Sequence, residues 1–298
     1  MEKQKIYDYI ESRASDFIAV SDAIWGFAEL SLNEYQSAAC YVDFLKKEGF
    51  EVREQVAGIP TAFSGSFGAG KPVIGILGEF DALSNLSQHA GVAHKEPVVP
   101  GGNGHGCGHN LLGVGSLAAA VAVKRMIEAG ELHGTVVFYG CPGEEGCAGK
   151  TFMARDGEFR DLDAALCWHP GDTNEVTTGA CAASLQLTYT FSGVAAHAAG
   201  DPWNGRSALD AAELMNVGVQ FLREHMRSCE SIHYSILDAG GASPNVVQPT
   251  AQLLYMVRSD NVTNAKKLLK RVNRIAEGAC LMTDTTVEIR QVDGIMDT

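Results

Sequence analysis

Pro72-Val-Ile-Gly-Ile-Leu-Gly78 is an apolar run with no polar residue at alternate positions. A strand that reads this way is covered on both faces, as in a sheet with helices packed against it. Thr135-Val-Val-Phe-Tyr-Gly140 and Ala164-Ala-Leu-Cys-Trp168 read the same way. Residues 111–129, rich in small apolar side chains, lie between the first two and read as a long buried helix. Upstream, apolar spacing predicts helices over residues 6–28 and 34–47, and a strand near 61–66. This alternation of buried strands and helices indicates an α/β fold.

The pattern changes further on. Leu185, Leu187, Tyr189 and Phe191 alternate with Gln186, Thr188, Thr190 and Ser192, which is a strand with one wet face. Helix over 206–227, strands near 232–237 and 252–258, helix over 262–280 and strand over 285–292 complete a β-α-β-β-α-β order, the ferredoxin-like arrangement. The expected division is a domain at 1–183 and a smaller one at 184–293, with 294–298 starting a return to the first.

Composition limits the function classes. The 298 residues are 46% apolar and 20% charged, which fits a folded globular chain. A formal net charge of −13 argues against nucleic acid and anionic membrane surfaces as partners. No apolar run reaches the length of a membrane span and no signal-type stretch opens the chain. The eight cysteines are spread thinly, so reduced thiols in the cytoplasm are expected.

Three segments carry metal-type chemistry. In Gly101-Gly-Asn-Gly-His-Gly-Cys-Gly-His-Asn110, His105, Cys107 and His109 alternate on a glycine-rich loop that enters a helix. Thiolate and imidazole donors suit zinc or a similar divalent ion, and the helix N-terminus would favour the thiolate. Pro142-Gly-Glu-Glu-Gly146 places Glu144 and Glu145 just after a buried strand, where one carboxylate can hold a metal and the other a proton. Trp168-His-Pro170 ends another such strand. Strand ends on one edge of an α/β sheet are where ligands bind, so Cys107, His109, Glu145 and His169 form a candidate coordination set. Gly65-Ser-Phe-Gly-Ala-Gly-Lys-Pro72 imitates a phosphate-binding loop, but Pro72 replaces the required hydroxyl and a strand follows instead of a helix. Cys40, Cys229 and Cys280 read as core residues on helical faces.

With these segments in order, the sequence resembles the M20 metallopeptidase family and its amidohydrolase branch, which includes p-aminobenzoyl-glutamate hydrolase-like members. The likeness rests on Phe27-Ala-Glu-Leu30, Gly78-Glu-Phe-Asp-Ala-Leu83, Gly104-His-Gly-Cys-Gly-His-Asn110, Pro142-Gly-Glu-Glu-Gly146, Trp168-His-Pro170, Gly193-Val-Ala-Ala-His-Ala-Ala199, Ser243-Pro-Asn-Val-Val247 and Tyr255-Met-Val-Arg258. It implies metal-dependent hydrolysis of an amide in an N-acyl amino acid or dipeptide. It also implies a catalytic α/β domain with an inserted lid that mediates homodimerisation. By the family pattern Cys107, His109, Glu145 and His169 are ligands of two ions, zinc or manganese. Glu144 is the general base, Asp81 supports the metal ligands, and His197, Asn245 and Arg258 bind substrate, His197 across the dimer.

Two departures stand out. Asn110 occupies a position where the branch often has Asp. The chain also stops where the family returns to its catalytic domain with a further histidine ligand. The rival expectation is therefore a truncated, non-catalytic partner subunit, and thiol catalysis by Cys107 is a third.

Overall fold

A computed structural model describes residues 3–176 and 180–297. The chain separates into two compact units, Met1–Glu175 and Val176–Thr298.

In the first unit the elements run α1 (Lys3–Ser12), α2 (Ala14–Phe27), α3 (Tyr35–Lys47), β1 (Glu51–Glu54), β2 (Phe63–Ala69), β3 (Val73–Gly78), α4 (His109–Glu128), β4 (Gly134–Gly140), α5 (Glu144–Cys147), α6 (Gly149–Arg155) and β5 (Ala164–Leu166). The sheet order is β1-β2-β4-β3-β5. Strand β3 pairs in parallel with β4 and β5, while β2 runs antiparallel to β1 and β4. The apolar run that decides the fold is thus a central strand.

Both faces of the sheet are covered. On one, Ile24, Tyr41, Leu45, Leu117 and Val121 of the helices pack with Phe63, Ile76, Val136 and Phe138 of the strands. Tyr41 sits within 5.5–5.8 Å of the rings of Phe63, Phe80 and Phe138. On the other, Val137, Tyr139 and Cys141 pack with Val56, Ala62 and Met153. Helix α4 is long and apolar enough to cross a membrane by length and composition, but 67% of its apolar window is buried in this unit. It is a core helix.

Close packing of α4 on β3 depends on Gly113. A methyl group there would stand 2.5 Å from the Glu79 carbonyl oxygen and would also strike the Tyr41 hydroxyl. Gly113→Ala is therefore expected to cost about 1–3 kcal/mol through overpacking, seen as a lower urea midpoint with an unchanged m-value.

Several elements differ from the sequence reading. The first helix breaks at Arg13, whose backbone leaves helical geometry between α1 and α2 and whose guanidinium binds Asp16 and Glu48. Strand β1 was not expected, because its four residues carry three charges. Strand β5 is exposed rather than buried, since it lies at the sheet edge with β3 as its one neighbour.

The second unit runs β6 (Ala183–Ser192), α7 (Ala208–Arg223), β7 (Ser231–Asp238), β8 (Thr250–Ser259), α8 (Val262–Thr283) and β9 (Thr286–Ile295). Its sheet is antiparallel with order β7-β8-β6-β9, the ferredoxin-like topology. Leu185, Leu187, Tyr189 and Phe191 face inward with Leu253, Tyr255 and Val257, against Met215, Val219, Val272 and Ala276 of the helices. Ser207 caps α7 and Asn261 caps α8 through side-chain acceptors. Cys280 is buried in this core and Cys40 half-buried, but Cys229 is exposed in the turn between α7 and β7, outside any helix.

Candidate metal centre

Strands β3, β4 and β5 are parallel, so their C-terminal ends share one edge of the sheet. The chain leaving β3 carries Glu79 and Asp81. The chain leaving β4 carries Glu144 and Glu145, and that leaving β5 carries His169. Helix α4 begins at the same edge with His109, two residues after Cys107. This is the crevice where open α/β sheets place ligands.

Asp81 is the fixed point. It is fully buried, accepts from His109 Nδ1 at 2.9 Å, from the Ser31 hydroxyl at 2.7 Å and from the Glu145 backbone N–H at 2.9 Å. One carboxylate thereby ties together the turn after β3, the start of α4 and the start of α5. With Nδ1 held by Asp81, the neutral His109 ring presents a lone pair at Nε2. His169 is oriented alike: its Nδ1 lies 2.9 Å from the Pro170 carbonyl, and its Nε2 lies 3.2 Å from Cys107 Sγ.

The donors cluster in two overlapping groups. Cys107, His109 and His169 each offer an atom within 4.8 Å of the others, and so do Glu79, His109 and Glu144. His109 belongs to both. Its Nε2 is 3.2 Å from Glu79, 3.9 Å from Glu145 and 4.0 Å from Glu144. Nevertheless Nε2 is buried without a hydrogen-bond partner, as is Glu145 Oε1. Two orphaned buried polar atoms facing one space among sulfur, nitrogen and carboxylate donors fit a divalent cation.

Electrostatics agree. Burial, then the Glu145, Glu144 and Glu79 carboxylates, push the Cys107 thiol up to about 12. Contrary to the sequence expectation, the helix N-terminus does not secure a thiolate in the metal-free site, because burial and then the three carboxylates outweigh it. Burial opposes charge on His109, but Asp81, Glu79 and Glu145 prevail and raise its pKa. Burial, followed by Glu79, also raises the Glu144 carboxyl. For Asp81 burial pulls upward, but its hydrogen bonds from His109, Glu145 and Ser31 bring the net direction down. A cation would relieve the repulsion among Glu79, Glu144, Glu145 and a Cys107 thiolate.

Cys107, His109, Glu144, Glu145, His169 and Asp81 are thus brought together. His105 is not: it turns inward, its Nε2 lies 3.0 Å from the Ile24 carbonyl, and its ring stacks on Trp25. Asn110 is buried, donating to Ser21 at 3.0 Å.

His197, Asn245 and Arg258 lie in the second unit, where all three are exposed. His197 pairs with Val246, and the Ala198 N–H donates to the Asn245 carbonyl at 2.9 Å. Because His197 Nδ1 accepts from the Gly200 N–H at 2.9 Å, its neutral ring carries the proton on Nε2. These two segments extend from the Ser192–Thr250 end of the sheet. Arg258 stands at the opposite end of β8, about 26 Å from Thr250 at the usual strand rise.

Sequence reasoning missed Glu79, Lys150, Ser31 and Glu34. Glu79 precedes Asp81 by two residues, the spacing that puts side chains on one side of an extended segment, and that signal was readable. Lys150 Nζ forms an ion pair with Glu79 Oε1 across 71 residues of sequence, and no local pattern marks it.

With fold and geometry in hand, the class is plain: residues 75–294 match the profile of peptidase family M20/M25/M40, and the chain belongs to that family. Among relatives, a p-aminobenzoyl-glutamate hydrolase subunit of Escherichia coli is 50% identical over 96% of this chain and 60% of its own length. The Xaa-Arg dipeptidase of Mus musculus is 29% identical over 96% of this chain and 65% of its own length. The chain thus spans less than two thirds of either relative. The crystal structure of an aminobenzoyl-glutamate utilization protein from Klebsiella pneumoniae shares the fold. It has a TM-score of 0.74 and 20% identity over 98% of this chain and 79% of that one.

Proposed function

We propose that the chain hydrolyses an amide bond in an N-acyl amino acid or dipeptide, with divalent metal. The observation that carries this reading is the unpartnered Nε2 of buried His109, set among Cys107, His169 and three carboxylates. Cys107, His109, Glu145 and His169 would hold one or two ions, zinc or manganese, with Glu79 as a further oxygen donor. When bound, the metal supplies Lewis-acid polarisation of the amide carbonyl and lowers the pKa of water.

The chain's own residues do the remainder. Glu144, its side chain 40% exposed at the start of α5, takes the proton from the attacking water and returns it to the leaving amine. In the metal-free site burial and Glu79 raise its pKa, and a bound cation would draw it back toward the ordinary carboxylate range, where a group can both accept and release a proton. Asp81 keeps His109 in the tautomer whose Nε2 faces the site. His197, with its proton on Nε2, donates to the developing oxyanion, and Asn245 lies beside it. Arg258 grips the free carboxylate of the amino-acid part.

A small substrate cannot reach both His197 and Arg258 of one unit, given their placement at opposite ends of the sheet. This supports a homodimer through the second unit, with one of the two drawn from the partner copy. The amino-acid part is supported by the relatives' names, since glutamate and arginine dipeptides both carry a free carboxylate. Arg258→Ala is expected to raise KM about tenfold or more, as loss of a charge-assisted bond does, with a smaller change in kcat. An unchanged KM across a panel of N-acyl amino acids and dipeptides would remove Arg258 from the site.

Thiol catalysis is disfavoured by the burial and neighbouring carboxylates that push the Cys107 thiol of the metal-free chain up to about 12. Iodoacetamide should label Cys107 of the metal-free chain slowly at neutral pH, and rapid labelling would reopen that route. The relative's designation as a subunit favours a second reading, in which this chain acts beside a different subunit. Turnover by the purified chain alone decides between them.

A further inference from the structure

We infer that Glu34 is a positioning residue that holds the Glu144–Glu145 turn in place through the backbone amide of Gly143. Glu34 sits at the N-terminal boundary of α3, where short Ser, Thr, Asp or Asn side chains ordinarily cap the helix. It makes no such cap. Its side chain is fully buried and instead accepts the Gly143 N–H at 2.8 Å on Oε1 and the Thr61 hydroxyl at 3.0 Å on Oε2. A carboxylate is costly to bury and is retained where donors satisfy it; here the Gly143 and Thr61 donors come from separate segments of the chain, beside the Leu32 and Glu34 backbone amides.

Gly143 is the pivot of the turn. Its φ of 68° lies in the left-handed region, and a side chain there would stand 2.9 Å from Leu32 Cδ2. The residue that follows is Glu144. The segment 30–34 therefore fixes this turn twice, by the Glu34 hydrogen bond and by Leu32 packing. The same segment reaches the other metal-bearing turn: Leu30 bridges to Ala82, and Ser31 donates to Asp81 at 2.7 Å. One short connection between α2 and α3 thus sets the spacing of both acidic turns. Among its described members, Glu34 alone accepts a hydrogen bond from the Glu144–Glu145 turn on a fully buried carboxylate.

The consequence for catalysis rests on the hydrolase reading, but the positional role does not. The test uses two variants of the full chain. Glu34→Gln keeps an acceptor for Gly143 and can donate to Thr61. Glu34→Leu keeps the volume and removes the acceptor. Zinc affinity, by competition with a chromophoric chelator, and deuterium exchange in residues 141–147 are the primary readouts, with thermal melting to verify folding.

Glu34→Leu should weaken zinc binding about tenfold or more, within the range for loss of a group that orients ligands, and speed exchange at Gly143. Glu34→Gln should stay within about threefold of the parent in both. Wherever the parent chain hydrolyses an amide, kcat should fall in Glu34→Leu with KM nearly constant and recover in Glu34→Gln. Parent-like zinc affinity and exchange in a folded Glu34→Leu chain would overturn the inference. So would a Glu34→Gln chain that melts normally but loses as much zinc affinity as Glu34→Leu, since charge rather than the Gly143 bond would then matter. If Glu34→Leu does not fold, Glu34→Gln decides: retained affinity and protection support the inference, and their loss defeats it. A parent chain that binds zinc but hydrolyses no amide defeats the hydrolase reading and leaves these binding and exchange outcomes to judge Glu34.

Discussion

Glu144→Gln is expected to lower kcat for amide hydrolysis by about 10²–10⁴-fold, the usual contribution of a positioned general base. The substitution preserves size and removes only the basic oxygen. Cys107, His109, Glu145, His169 and Glu79 remain, so metal should still bind. The parent's pH profile supplies a second check. A base must be unprotonated to act, so the rate falls as pH drops through the Glu144 pKa. In the metal-free site burial and the neighbouring Glu79 and Glu145 raise the Glu144 carboxyl, and a bound cation beside the same carboxylates would bring the limb of the loaded chain to lower pH than that. In Glu144→Gln the limb should vanish along with most of the rate. A variant with metal bound and parent-like kcat would remove Glu144 from the chemistry.

His109→Ala should abolish stable metal binding altogether. His109 is the member common to both donor groups, and no other described imidazole is fully buried in the cluster. The substitution also leaves Asp81, a buried carboxylate, without the ring that accounts for its largest downward shift in pKa. Taking one donor from a buried carboxylate typically costs about 1–3 kcal/mol or more, so the metal-free variant should unfold at lower urea. Asp81→Asn separates the two effects. It keeps a side chain of the same shape beside Nδ1 but disturbs the tautomer, and about 10–100-fold weaker metal binding is expected. Isothermal titration with zinc, beside urea unfolding of the metal-free chains, checks both. Parent-like zinc binding by His109→Ala would show that the buried ring is a structural residue.

The candidate ligands were legible because they are locally marked. Cys107 and His109 alternate in a glycine-rich loop, Glu144 and Glu145 are adjacent after a strand, and His169 closes another. Apolar runs identified the central strands, and alternation from Leu185 to Phe191 identified the first strand of the second unit. The supporting residues were not legible for the complementary reason. Glu34 and Gly143 are 109 positions apart, and Lys150 and Glu79 are 71 apart. Only the folded chain brings them together. His105 shows the opposite failure: the same alternation that flags Cys107 and His109 includes it, but a buried contact with Ile24 takes it away. Exposure of β5 likewise follows from its place at the sheet edge, which an apolar run does not encode.

The central claim, that the residues around His109 hold a divalent metal, is tested most directly by elemental analysis after zinc loading and desalting. The account predicts about one to two retained ions per chain, lost when His109 is replaced by alanine. No retained zinc, or equal retention in parent and variant, would contradict it.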